Sequence, residues 1–208
     1  MIGVIDYGSG NLRSVCNALK FIGVDFRIVQ HGHDFTDLHK IILPGVGFFG
    51  DCVKALHQYG LWQPLNETVI SRKVPFLGIC LGFQLLAESS EESPGIEGLG
   101  WIKGQIVFLK TAQMKGLSVP HVGWDDIRIK HPGTLLKGFD GYNSFYFVHS
   151  FCLKVAPEAE KVCVATCVYG DEFIAAVERD HIMGVQFHLE KSQKEGLKVL
   201  TNFINYNG

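Results

Sequence analysis

The chain has 208 residues, 47% hydrophobic and 19% charged, with a net charge of -2. That suits one domain with a sizeable core, and the absence of blocks of like charge argues against a nucleic-acid or membrane-surface binder. No apolar run approaches the roughly 18 residues of a membrane helix, and the N-terminus lacks the basic region of a signal peptide. The six cysteines (Cys16, Cys52, Cys80, Cys152, Cys163 and Cys167) show neither Cys-x-x-Cys nor zinc spacing, which predicts reduced thiols in a cytoplasmic protein with no metal and no cofactor.

Residues 2–6 read as a short apolar strand. A glycine loop, Tyr7-Gly8-Ser9-Gly10-Asn11, leads into a helix carrying Leu12, Val15, Cys16, Leu19 and Ile22 on one face. Arg13 occupies the third glycine position of a dinucleotide fingerprint, and no acidic residue follows a second strand where the ribose would need one. The loop therefore reads as a plain strand–turn–helix connection at the carboxyl edge of a sheet. Residues 25–30 and 40–43 predict two more strands. The second ends in Pro44-Gly45-Val46-Gly47-Phe48-Phe49-Gly50, whose glycines permit unusual backbone and close approach of a ligand. A helix with Val53, Leu56 and Tyr59 follows.

Residues 74–79 are a fourth strand, and a helical pattern starts at Phe83 with Leu85, Leu86 and Ala87. This alternation predicts an α/β fold: a doubly wound, mostly parallel sheet with its ligand site outside the carboxyl ends of the strands. After Ser89 the character changes. A turn-rich loop at 93–100 precedes strands at 105–109, 124–129, 145–153, 161–169, 173–178 and 181–187, which predict antiparallel additions to the same sheet. A helix at 193–206 closes the chain. Without a linker or an internal repeat, residues 1–208 read as one domain.

Between the fourth strand and its helix lies Gly78-Ile79-Cys80-Leu81-Gly82. Such Gly-x-Cys-x-Gly spacing is a nucleophile elbow with sulfur in place of a hydroxyl. A strand that turns sharply into a helix crowds the residues two positions either side, hence the glycines. The turn lifts the thiol to a helix N-terminus, which favours an anion. Taken alone, Cys80 reads equally well as a buried structural cysteine. The stretch 181–192 decides between the two. His188 and Glu190 leave the end of an apolar strand two residues apart, so they share a face and the carboxylate can orient the imidazole. Together with Cys80 they make a Cys–His–Glu triad.

The two motifs, Gly78 to Gln84 and Gly184 to Glu190, resemble those of the class I glutamine amidotransferases. Three more stretches narrow the resemblance: Asp6 to Ser14, Pro44-Gly45-Val46-Gly47, and Pro120 to Trp124 with Tyr146 to Ser150. They are similar to the branch whose members supply ammonia to the cyclase of imidazole glycerol phosphate synthase. The resemblance implies glutamine hydrolysis through a glutamyl thioester on Cys80, with ammonia channelled to a cyclase subunit in a heterodimer of histidine biosynthesis. It implies an oxyanion hole from Leu81 and the Val46–Gly47 stretch, and glutamine binding by Gly45, Gln84, His149 and Ser150. Asn11, Trp124, Tyr146 and Lys191 match positions at the partner interface.

The chain departs from the family pattern twice. Leu189 stands where proline is usual, and Asp125 where asparagine is usual; the second leaves the partner's identity open. A paralogous glutaminase serving a sugar amidotransferase in surface-polysaccharide synthesis is the alternative. A cysteine hydrolase acting on another amide, or a non-catalytic regulatory subunit, is disfavoured by Gln84, by the Tyr146–Ser150 stretch and by the complete triad.

Overall fold

The computed structural model describes residues 1–8 and 11–207. Ser9 and Gly10 of the glycine loop lie outside the described residues, as does Gly208. The first half alternates strand and helix: β1 (Ile2–Ile5), α1 (Leu12–Phe21), β2 (Phe26–Val29), β3 (Lys40–Gly45), α2 (Phe49–Gln58), α3 (Trp62–Asn66), β4 (Phe76–Cys80) and α4 (Leu81–Gln84). The second half is mostly strand: β5 (Ser89–Ser90), β6 (Gly104–Phe108), α5 (Lys110–Met114), β7 (His121–Ile129), β8 (Tyr142–His149), β9 (Phe151–Val155), β10 (Cys163–Tyr169), β11 (Asp171–Arg179) and β12 (Ile182–Val185), closed by α6 (Gln193–Ile204).

Among the described residues, nine strands form one sheet in the order β2-β1-β3-β4-β12-β11-β10-β7-β8. The strands from β2 to β12 run parallel. From β12 to β8 each neighbour is antiparallel. β5, β6 and β9 form a separate small sheet. The central strands are apolar on both faces, as strands covered on both sides must be. On one face Val4, Leu77 and Ile79 meet Val15 and Leu19 of α1 and Val199, Leu200 and Phe203 of α6. On the other, Ile5, Leu43 and Phe76 meet Phe49, Cys52 and Leu56 of α2. Helices on both faces make this an α/β fold with antiparallel strands added along one edge.

Several boundaries differ from those read in the sequence, each for a local reason. The helix expected from Phe83 onward is only the four residues of α4. The carbonyls of Leu85, Leu86 and Ala87 do not continue it. They accept N–H groups of Leu99, Ile102 and Gly100, so the loop 98–104 takes the place of a further helical turn. The single strand expected at 145–153 is two strands in two sheets. β8 pairs with β7 as far as His149, and β9 pairs with β6 from Phe151. The break falls at Ser150, whose carbonyl accepts the Leu109 N–H. β3 runs on to Gly45 because Pro44 and Gly45 stay in register with Ile79 and Cys80. Residues 157–162 are a 3₁₀ turn, not the start of β10. Tyr59, expected within the second helix, lies just after the end of α2 and is exposed.

Candidate active site

The site is built at the carboxyl ends of β3, β4 and β12, with β8 as its far wall. Cys80 is the last residue of β4, with φ +54° and ψ -106°. A non-glycine residue rarely adopts this conformation, and it is sustained at about 1–3 kcal/mol by the packing around it. The elbow glycines explain how the turn fits. A Cβ on Gly78 would lie 2.5 Å from Gly82 O, and one on Gly82 would lie 1.9 Å from Leu43 O. Neither position holds a side chain without moving backbone. Cys80 itself is buried. Its Sγ lies 3.8 Å from Val148 O on β8, and it accepts the Gln186 Nε2–H at 3.8 Å.

His188 and Glu190 follow β12, with the His188 ring toward the sulfur and Glu190 behind the ring, their side chains 2% and 1% exposed. His188 Nδ1 lies 2.7 Å from Glu190 Oε1, so the ring is oriented with Nε2 free to face the thiol. Burial works against an imidazolium here. The Cys80 sulfur, by charge and hydrogen bond, and the Glu190 carboxylate outweigh it, so that the His188 pKa is pushed up to about 10. Burial likewise opposes ionisation of Glu190, but the imidazolium and Asn11 hold its carboxyl below the usual range. Glu190 Oε2 is buried and has no hydrogen-bond partner among the described residues. The pair keeps its geometry with Leu189 between its members, because Ser192 takes over the anchoring. Ser192 Oγ donates to His188 O at 2.6 Å and accepts the Tyr146 N–H at 3.0 Å, while His188 N–H donates to Tyr146 O.

The loop after β3 lies beside this centre, since Gly45 pairs with Cys80 across the β3–β4 ladder. A Cβ on Gly45 would stand 2.8 Å from Gly82 N and 2.9 Å from the Tyr7 hydroxyl. Val46 and Gly47 follow at the surface, and Gly47 has φ +105°, a value that glycine alone holds without strain. Tyr7, fully buried, donates its hydroxyl to Pro44 O at 3.2 Å and so fastens the root of the loop.

Two of the residues expected to touch glutamine, Gln84 and His149, have their side chains bonded within the protein. Gln84 Nε2 donates to Phe151 O and to Gln186 Oε1, both at 3.0 Å, so its amide first braces β9 and Gln186. The His149 ring has both nitrogens engaged within the protein. Nδ1–H donates to Phe151 O at 2.8 Å, and Nε2 meets His121 Nδ1 at 3.1 Å. Burial then drives the His149 pKa down to about 3. Its ring is therefore held within the wall of the site. Ser150 is half-buried at the turn between β8 and β9.

The four expected interface residues gather at one edge of the site. Trp124 is 43% exposed and stands edge-on to Tyr146, with ring centroids 5.9 Å apart. Lys191 Nζ lies 5.5 Å from the Tyr146 ring centroid. Asn11 does more than line the edge: its Nδ2 donates to Glu190 Oε1 at 2.8 Å, directly on the triad. Sequence reasoning assigned no role to Asn11 at the carboxylate, nor any to Gln186, Ser192, Tyr7 or His121. All five lie inside stretches singled out in the sequence, but the pairings Tyr7–Pro44, Asn11–Glu190, Gln186–Gln84, Ser192–Tyr146 and His121–His149 each join different stretches of the chain.

A cavity of about 790 Å³ lies elsewhere, between α5, β9 and β10, and no triad residue lines it. Chemistry and not volume marks the site. Among the described residues, no helix is long and apolar enough to cross a membrane.

The model of the glutamine amidotransferase class-I family matches residues 3–206. A protein of Sulfurimonas denitrificans called imidazole glycerol phosphate synthase subunit HisH is 46% identical over 208 residues, covering 99% of this chain and 98% of the relative. The protein of the same name in Moorella thermoacetica is 44% identical, covering 97% and 93%. Among solved structures, PurLQS from Thermotoga maritima superposes with a TM-score of 0.74 at 22% identity, covering 99% of this chain and 97% of that one. A crystal structure described as a glutamine amidotransferase gives 0.74 at 20%, covering 98% and 96%. At that identity the structural likeness speaks for the fold, whereas the family match and the close relatives speak for descent. The chain belongs to the class-I glutamine amidotransferases.

Proposed function

We propose that this chain is the glutaminase subunit of an imidazole glycerol phosphate synthase. It hydrolyses glutamine to glutamate and ammonia and passes the ammonia to a cyclase subunit in a cytoplasmic heterodimer of histidine biosynthesis. The observation that carries the reading is the buried Cys80 at a strained strand–helix turn, against an imidazole fixed 2.7 Å from a buried carboxylate. The names of the close relatives supply the synthase. They favour the cyclase over a sugar amidotransferase as the acceptor of ammonia.

The raised His188 pKa suits its imidazole to take the Cys80 thiol proton as the sulfur attacks. Cys80 Sγ attacks the side-chain amide carbon of glutamine, and the carbonyl oxygen takes up the electron pair. The backbone N–H of Leu81 and one from the Val46–Gly47 stretch receive that oxyanion. His188 gives its proton to the amide nitrogen, the C–N bond breaks and ammonia leaves a glutamyl thioester. His188 then takes a proton from water as its oxygen attacks the thioester carbon; the C–S bond breaks, and glutamate departs. Glu190 holds the tautomer throughout, and Asn11 holds Glu190. Gly45 supplies a flat wall at the nucleophile, with Gln84, His149 and Ser150 behind and beside it. Trp124, Tyr146, Lys191 and Asn11 form the edge where the cyclase docks, so partner and triad share a border.

The test is the steady-state rate of glutamate release by the subunit alone, with the cyclase, and with the cyclase carrying its nucleotide ligand. Glycines on either side of Val46 allow the Val46–Gly47 peptide to rotate at low cost. A missing oxyanion donor lowers the rate roughly a hundredfold or more. A slow basal rate with strong stimulation by the loaded cyclase is expected. Equal rates in all three arms would remove partner control, and no release in any arm would remove the glutaminase reading.

A further inference from the structure

Behind the site wall lies a second imidazole–carboxylate pair. His121 and His149 stand directly opposite each other in the β7–β8 ladder. His121 is buried, stacked between Tyr169 at 3.9 Å and Phe147 at 4.9 Å between ring centroids. Its Nδ1 meets His149 Nε2 at 3.1 Å, and its Nε2 meets Asp125 Oδ2 at 2.6 Å. From His149 the bonding runs to Phe151 O, from that carbonyl to Gln84, from Gln84 to Gln186, and from Gln186 to the Cys80 sulfur. We propose that His121 and Asp125 are positioning residues for glutamine hydrolysis, setting the His149 tautomer and thereby the wall that holds Gln84, Gln186 and Cys80. This rests on the glutaminase reading given above.

The chain Asp125–His121–His149–Phe151 O has three hydrogen bonds, and each end is an acceptor when Asp125 is ionised. Three bonds need three N–H groups. Two neutral imidazoles supply two, so the chain is complete only when the pair carries one extra proton. Burial opposes that proton: it lowers the His121 pKa, with Asp125 pulling the other way. The groups facing the pair are His188 across the site, Tyr169 and Cys167 on β10, and Asp125 on β7 itself. Tyr169 donates its hydroxyl to Ser118 O. At neutral pH, therefore, one of the three bonds goes unmade. An amide at 125 removes the deficit. Its Nδ2–H would donate to His121 Nε2, His121 Nδ1–H to His149, and His149 Nδ1–H to Phe151 O, with both rings neutral. Asp125 is 41% exposed and adjoins Trp124, so the proton enters from the proposed partner edge.

The test uses the full chain with its cyclase. kcat and KM for glutamine are followed from pH 5.5 to 8.5 for wild type, Asp125→Asn and His121→Phe, and ring-nitrogen NMR of histidine-labelled protein reads the tautomers. Asp125→Asn should exceed wild type severalfold in kcat/KM at pH 8, the value of one neutral hydrogen bond, and converge with it below about pH 6.5. In this variant both rings should stay neutral with the proton on Nδ1, whereas in wild type His121 gains a proton as the pH falls. His121→Phe keeps the ring stack, strands His149 Nε2, and should lower kcat/KM roughly tenfold. Should that variant fail to fold, the Asp125→Asn comparison decides alone. Parallel pH profiles for wild type and Asp125→Asn, with unchanged ring-nitrogen signals, would overturn the proposal. A wild type that releases no glutamate at any pH would instead overturn the glutaminase reading, and the NMR signals would still decide the hydrogen-bond chain.

Discussion

Cys80 holds φ +54° with a full side chain, so its backbone is strained whatever its chemistry. Glycine at this position relieves the strain, whereas alanine keeps it. Cys80→Gly should thus unfold at higher denaturant than Cys80→Ala, by about 1 kcal/mol, and a reversed order in urea melts would contradict a strained elbow. The acid–base pair predicts a graded loss. His188→Asn removes the base at the sulfur and should cost several orders of magnitude in kcat for glutamine. Glu190→Gln should cost less, because the carboxylate orients and stabilises but transfers no proton. Equal losses would give Glu190 a larger part than orientation. The triad could be read from the sequence because its spacing is local: glycines two residues either side of Cys80, and a carboxylate two residues beyond His188. Asn11 reaches Glu190 across 179 positions and Gln84 reaches Gln186 across 102, and no local pattern announces such pairs.

At the scale of elements, the elbow is held by close backbone contact more than by helix propensity. A methyl group on Gly82 would lie 1.9 Å from Leu43 O, and Leu43 is in the adjoining strand β3. Gly82→Ala should therefore destabilise by more than about 4 kcal/mol and leave little soluble protein. Gly95→Ala serves as the comparison: a Cβ there meets nothing within 4 Å, leaving only the strain of its φ of +81°. Thermal melts of the two variants check this, and a Gly82→Ala protein as stable as Gly95→Ala would remove the close-packed elbow. The parallel half of the fold was legible because its strands are continuous apolar runs between turns. The exchange of sheets at Ser150 was less so, although the burial phase slips there: Phe145 and Phe147 are buried at alternate positions, then Cys152 and Leu153 in succession. The shortness of α4 was hidden altogether, since the groups that end it come from the loop 98–104.

Across the whole molecule, the buried wall of the site ties stability to pH. His149 titrates near 3 in the folded chain and near 6.5 when unfolded. Between those values the unfolded state binds the additional proton, so stability is full above about pH 6.5 and falls as the pH drops, by up to about 1.4 kcal/mol per unit from this group. Urea unfolding at pH 7.5 and pH 5 should show a larger acid loss for wild type than for His149→Gln. Equal losses would place the His149 titration elsewhere. The same molecule should lose its glutaminase at a single atom. Glutamate release from glutamine is measured with the cyclase present, for wild type and for Cys80→Ala. Wild type should release glutamate and Cys80→Ala none above background, with unchanged synthase turnover in both when ammonium salt replaces glutamine. Glutamine-dependent release by Cys80→Ala near the wild-type rate would contradict Cys80 as the nucleophile.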